Sequence, residues 1–178
     1  MLDSLVVTVV GPDRPGLVSL ISERGRQHGA SWDQSRMATL AGQFAGIVHF
    51  QVPAEETEAL TRALFDLESM GLNIQVVAGT GSAPPIPAQL LKLELVGQDR
   101  PGIVRDISRA LAELSVSIQE LTTEVISAAM SGERLFHASA LLQVPASVAT
   151  ADLQRVIESL ANELMVDVDL HEASLGGS

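Results

Sequence analysis

The 178-residue sequence contains no cysteine, no tyrosine, one tryptophan and four phenylalanines. Without cysteine there is no disulfide framework, thiolate metal cage or cysteine nucleophile, which fits a reducing compartment. Basic residues are scarce too: 11 Lys and Arg stand against 22 Asp and Glu, a formal net charge of −11. Binding to a phosphate backbone draws its strength from cations that neutralise phosphates, so this balance argues against direct contact with nucleic acid. Residues 1–83 carry 5 basic and 9 acidic side chains and residues 84–178 carry 6 and 13, so neither half hides a basic face. No run approaches the roughly 18 apolar residues that a membrane-spanning helix needs. The stretch Met1 to Val10 has Asp3, no positive charge and a short apolar run broken by Thr8, unlike a secretory leader. The expectation is a cytoplasmic protein with no membrane partner. At 46% apolar and 19% charged residues, the chain has enough apolar material to bury a core.

The sequence repeats itself. Val10-Gly11-Pro12-Asp13-Arg14-Pro15-Gly16-Leu17-Val18 returns as Val96-Gly97-Gln98-Asp99-Arg100-Pro101-Gly102-Ile103-Val104, and Gln51-Val52-Pro53 returns as Gln143-Val144-Pro145. The first pair is offset by 86 positions and the second by 92, so the second copy gains six residues in between. Between the copies, Gly79 to Pro87 is rich in Gly, Ser and Pro and reads as a linker. The domains expected are therefore 1–79 and 89–172, with a linker at 80–88 and a tail at 173–178.

Each copy carries the same series of patterns. Leu5 to Val10 and Leu90 to Val96 read as strands running into the Asp-Arg-Pro-Gly turn. Helical spacing follows in Leu17, Leu20, Ile21 and in Ile103, Ile107, Ala110, Leu111, Leu114, with Gly29 and Ser115 as stops. Ser31 to Leu40 turns at Ala41-Gly42 into Gln43 to Val52, and Ser117 to Ser127 crosses a longer loop, 128–133, into Arg134 to Val144. After Pro53 and Pro145 come second helices, on Leu60, Ala63, Leu64, Leu67 and on Leu153, Val156, Ile157, Leu160. Leu72 to Ala78 and Leu164 to Leu170 close the copies as strands, with Asp167 and Asp169 pointing away from the core. The fold class is α+β: two tandem ferredoxin-like βαββαβ domains, each an antiparallel four-stranded sheet with its helices on one face.

The repeated turn has a chemistry of its own. Asp13 reads as an N-cap acceptor for the Gly16 amide, because the intervening Pro15 has no N–H to give. Glycine lets a ligand approach the backbone, and the free amides of a first helical turn favour a carboxylate. A small-acid site and a merely well-capped turn both satisfy these facts.

On these residues the chain resembles the ACT domain, a small amino-acid-sensing module of ferredoxin-like fold, across both halves. Gly29 to Ala38 and Gly42 to Gly46 add to the likeness. The resemblance implies a non-enzymatic regulator without DNA-binding elements, which acts by binding a transcriptional activator protein in response to a small amino acid, glycine in particular. It places the ligand where two domains meet, at Asp13, Gly16, Leu17 and Val18 in the first copy and at Asp99, Gly102, Ile103 and Val104 in the second. Ser31, Trp32, Ser117 and Ile118, at the start of the second strands, are the weaker part of that set. A ligand-free interaction module and the regulatory subunit of an amino-acid-metabolising enzyme fit the same resemblance. Trp32 has Ile118 as its counterpart, so one copy can bind while the other only scaffolds. Bare sheet edges and faces imply a homo-oligomer, a dimer foremost, with side-by-side and back-to-back pairing both open.

Other chemistry finds little footing in the sequence. His28, His49, His137 and His171 lack metal-ligand spacing. Glu55, Glu56 and Glu58 suit a solvated helix start. Phe44, Phe50 and Phe136 lack the basic surround of an RNA-stacking sheet. No Ser-His-Asp arrangement is readable, and no phosphate-binding glycine loop is present.

Overall fold

The chain's computed structural model describes residues 1–80, 88–128 and 131–173. Most of the expected linker, the tail at 174–178 and residues 129–130 of the longer loop lie outside the described residues. The chain divides into two units, Met1–Ala83 and Pro84–Ser178.

In the first unit β1 (Leu2–Pro12) leads through the motif turn to α1 (Leu17–Gln27), then to β2 (Ser31–Leu40), β3 (Gln43–Pro53), α2 (Thr57–Phe65) and β4 (Asn73–Ala78). The second unit repeats the order as β5 (Ala88–Gln98), α3 (Ile103–Glu113), β6 (Ser117–Ser127), β7 (Arg134–Pro145), α4 (Thr150–Leu164) and β8 (Val166–Glu172). The sheets are antiparallel, in the orders β2-β3-β1-β4 and β6-β7-β5-β8. This is the expected pair of ferredoxin-like units. The strands run longer than the sequence reading at several ends, with β1 at Leu2–Pro12 and β5 at Ala88–Gln98, and two other boundaries differ. The helical run after Pro53 breaks into a 3-10 segment at Asp66–Met70, and the last strand starts at Val166 because α4 continues through Leu164. Met165 takes a left-handed φ of 53° there, a stop that its side chain does not advertise.

Alternation assigns the two faces. Leu5, Val7 and Val9 of β1 and Phe44, Val48, Phe50 and Val52 of β3 are buried beneath Leu17 and Ile21 of α1 and Leu60 and Leu64 of α2. The second unit buries Leu91, Leu93 and Leu95 beneath Ile103, Leu111, Leu153 and Ile157. The cores trade volume between copies. Gly25 of α1 lies against the Phe50 ring, where a Cβ would collide with Cε1; Leu111 and Leu142 fill the matching positions of the second unit.

The faces away from the helices have diverged in charge. Across the first sheet, partner residues form the rows Gln34, His49, Val6, Val77 and Arg36, Ile47, Thr8, Gln75. Across the second they form Glu120, Leu141, Lys92, His171, then Thr122, Ser139, Glu94, Asp169, then Glu124, His137, Val96, Asp167. Asp167 and Asp169 point to solvent, as their alternation requires.

Candidate functional site

The motif turn is built largely from structural parts. Gly11 and Gly97 are the next-to-last residues of β1 and β5, beside the start of the last strand of each unit; an added Cβ would strike Leu72 and the Gly71 carbonyl in one copy and Val166 in the other. The Asp13 amide donates to the Gly42 carbonyl and the Asp99 amide to the Arg134 carbonyl, both at 2.9 Å, which ties the turn to the hairpin. Arg14 Nη2 donates to the Met70 carbonyl at 2.8 Å, and Arg100 Nη2 to the Glu163 carbonyl at 3.5 Å. The motif arginine thus clamps the turn to the segment before the last strand in both copies.

The helix caps differ from the sequence reading. Gly16 and Gly102 are the N-cap residues, with φ of 92° and 99°, and neither helix has a side-chain cap. Asp13 is not the cap acceptor. The left-handed glycine turns the chain abruptly into the helix and supplies its own carbonyl to the Leu20 amide, and Gly102 does the same for Asp106.

The copies part company at this turn. In the first, Asp13, Gly16 and Val18 are exposed and Leu17 is buried in the core. A Cβ at Gly16 would meet nothing within 4 Å, and the first turn of α1 has no acidic residue. In the second, the Asp99 carboxylate pairs with Arg134 Nη2 at 3.2 Å, and Asp106 sits in the first turn of α3, paired with Arg105. The Asp106 carboxylate and Arg105 guanidinium both come within 4 Å of a Cβ built on Gly102. The positive end of α3 already faces a carboxylate of its own chain, whereas that of α1 is open.

The remaining candidates separate as well. Ser31 is exposed at the head of β2, and half-buried Trp32 stands edge-on to Phe50 with centroids 5.3 Å apart. Trp32 is therefore a core-facing side chain. Ser117 is exposed and accepts a hydrogen bond from Gln119 Nε2 at 3.0 Å. Ile103, Val104 and Ile118 do come together, around a small, partly open apolar pocket of about 30 Å³ that Ile107, Phe136 and Ala138 also line. Trp32, and Met37 packed over Gly46, occupy the corresponding region of the first unit.

The ACT-domain family matches residues 3–77 and 89–171, both copies of the motif included. The chain is a tandem ACT-domain protein. Curated relatives of this ACT pair include the glycine cleavage system transcriptional repressors of Escherichia coli K12 and Shigella flexneri, each 24% identical over 90% of this chain and 85% of the relative. Among solved structures, a Galdieria sulphuraria protein of unknown function superimposes with a TM-score of 0.85 at 30% identity, covering 97% of this chain and 99% of that one. A structure provisionally assigned as a glycine cleavage system transcriptional repressor shares the fold, with a TM-score of 0.71 at 20% identity over 96% of this chain and 97% of its own.

Two polar clusters on the faces away from the helices escaped the sequence reading. In the second ACT unit, Glu94 binds Lys92 Nζ at 2.6 Å, Ser139 Oγ at 3.0 Å and His137 Nε2 at 3.2 Å, and Glu124 takes the other imidazole nitrogen at 3.2 Å. The Lys92 contact holds the Glu94 carboxyl below its ordinary 4.5, and Glu124 and Glu94 together raise His137 above its ordinary 6.5. Lys92 and Ser139 also line a groove of about 400 Å³ with Glu120, Thr122 and His171. In the first unit, Ser4 Oγ and His49 Nε2 are hydrogen-bonded at 2.7 Å, and Asp33 Oδ2 lies 3.0 Å from His49 Nδ1. Strand pairing brings these three residues together although they lie 16 to 45 positions apart.

Proposed function

We propose that this tandem ACT protein is an amino-acid-sensing regulator of the glycine cleavage repressor type. In this reading the first copy takes a small α-amino acid, glycine foremost, at the turn from Asp13 to Val18, and the loaded protein acts on a transcriptional activator protein rather than on DNA. It works as a cytoplasmic homodimer, in which a facing domain completes the site.

The observation that carries the reading is the open start of α1. The amides of its first turn meet no acid of their own chain, and the space beside Gly16 admits a carboxylate without obstruction. Asp13, exposed and without a side-chain partner among the described residues, supplies a counter-charge for the ammonium group. The second copy, with Asp106 and the Asp99–Arg134 pair already in place, is the scaffold. The curated relatives' names support the glycine response and the transcriptional role, and the acidity of both halves supports a protein partner.

The structural duties of Gly11, Arg14 and Gly97 favour a second reading, an interaction module with no ligand. Calorimetric titration of the full chain with the common amino acids separates the two. The sensing reading expects heat with glycine at millimolar levels or below, lost in Gly16→Val and kept in Gly102→Val, with thermal melting confirming that both variants fold. No heat with any amino acid would leave only the interaction module.

A further inference from the structure

A sheet with both helices on one side leaves its other face to water or to a partner. On the first sheet the inner strands β3 and β1 set Ala45, Ile47, Val10, Thr8 and Val6 side by side, and Val77 of β4 adjoins Val6. Ile47, Val10 and Val77 are 46%, 42% and 47% exposed. Polar side chains stand at the margins, Gln34 and Arg36 on the edge strand β2 and Asn73 and Gln75 on the edge strand β4. An apolar centre inside a polar rim is the anatomy of a protein interface, and exposed patches of this kind mark interaction sites.

The duplication gives an internal comparison. Where the first sheet has Ala45, Ile47, Thr8, Val6 and Val77, the second has His137, Ser139, Glu94, Lys92 and His171. Asn73 and Gln75 of the rim give way to Asp167 and Asp169. One backbone plan thus carries an apolar face and a charged one.

The occupant that fits the apolar face is the same face of a second copy. Two-fold packing sets a surface against itself, so like charges meet across it. On the open side of β1, β3 and β4 there is no carboxylate, lysine or arginine to meet its own image. On the second sheet Glu94, Glu120, Glu124, Asp167 and Asp169 would all do so. The size is sufficient as well. Four strands cover about 19 Å across, and the span from Ser4 to Val10 covers about 20 Å along them. That footprint of roughly 400 Å² is larger in accessible area because the side chains are corrugated, so two copies bury about 1,000 Å², the lower bound for a specific interface.

We propose that the open face of the first sheet is a homodimer interface, packed sheet to sheet on the same face of a second copy about 10 Å away, and that the acidic face of the second sheet takes no part. This rests on the homodimer of the proposed function and gives it a surface. Asp13 follows Val10 by three residues, so the amino-acid turn lies at the margin of the interface.

Sedimentation of the full chain without amino acid, over about 1–100 μM, is expected to show a dimer. A lysine at the centre of the patch is buried without a counter-charge, so Ile47→Lys should raise the dimer Kd about a hundredfold or more, and Val77→Lys, nearer the margin, about tenfold. Leu141→Lys on the second face should leave it unchanged. Because the chain has no cysteine, Ile47→Cys supplies a single thiol, and a bismaleimide spanning about 10 Å should join two copies through it. Ser139→Cys, at the matching position of the second face, should not cross-link. A monomer at about 100 μM overturns the proposal and the homodimer with it. A dimer that persists in Ile47→Lys and Val77→Lys proteins of native melting behaviour, or that cross-links through Ser139→Cys instead of Ile47→Cys, leaves the homodimer standing on another surface and overturns this one.

Discussion

Gly97→Ala tests whether the first glycine of the motif is a packing device. The backbone of Gly97 is not left-handed, so alanine meets no conformational objection there. Its Cβ would lie 3.0 Å from Val166 Cα and closer still to that valine's side chain, and backbone cannot step aside as a flexible side chain can. To reach ordinary contact, β8 must move by about half an ångström next to the Gly97–Val166 and Val96–Asp167 pairings. Overpacking of this kind costs about 1–3 kcal/mol. Against the roughly 4–12 kcal/mol that holds a domain of about 80 residues, the loss is large. Taking about 2 kcal/mol, the second unit should melt about 8–16 °C lower. Trp32, the only tryptophan, packs on Phe50 in the first unit, so its fluorescence follows that unit while circular dichroism follows both. The expected result is an early dichroism transition in Gly97→Ala with little change in the fluorescence transition, and the reverse order in Gly11→Ala. A Gly97→Ala protein with a native melting profile would refute the steric argument.

Three further outcomes follow from the same geometry. Leu64→Ala empties a fully buried site in the first core and should cost about 2–5 kcal/mol, read from urea unfolding by Trp32 fluorescence. Trp32→Leu removes the edge-on contact with Phe50 and should lower the first unit's stability by about 1 kcal/mol beyond the lost area, checked by a double-mutant cycle with Phe50→Leu. The cluster on the second sheet should make stability depend on pH. The raised pKa of His137 contributes stability that is complete below 6.5 and lost as pH rises through the folded value, and the lowered pKa of Glu94 contributes stability present above 4.5 and lost as pH falls through its folded value. The combined contribution is greatest between about 4.5 and 6.5, and melting curves of the native chain and His137→Gln should diverge most in that window.

The element order was legible because the signals were local. Lys92 and Glu94 alternate with leucines, Ala41-Gly42 marks a tight hairpin turn, and the repeat allowed each half to check the other. The helix caps were not legible, since both Asp13 and Gly16 suit the start of a helix and only the observed φ decides between them. The end of α4 was hidden because Met165 adopts a conformation usually left to glycine or asparagine. The Ser4–His49–Asp33 series needs three strands in register and one bulge at the right residue, which are non-local facts. Distinguishing the two copies of the turn needed the same kind of information, because Arg134 reaches Asp99 from the far side of a hairpin.

The divergence of the two open faces makes ionic strength a reporter of which copy a partner meets. A partner docking on the second unit must contend with the acidic residues Glu94, Glu120, Glu124, Asp167 and Asp169, whose influence at physiological salt dies away within about 8 Å. Its affinity will therefore change steeply as salt is added. A partner seated on the rows of Val6, Thr8, Ile47 and Val77, which carry fewer charges, Arg36 among them, will lose or gain less affinity over the same range. A salt titration of any complex this protein forms would locate the contact before either surface is mutated.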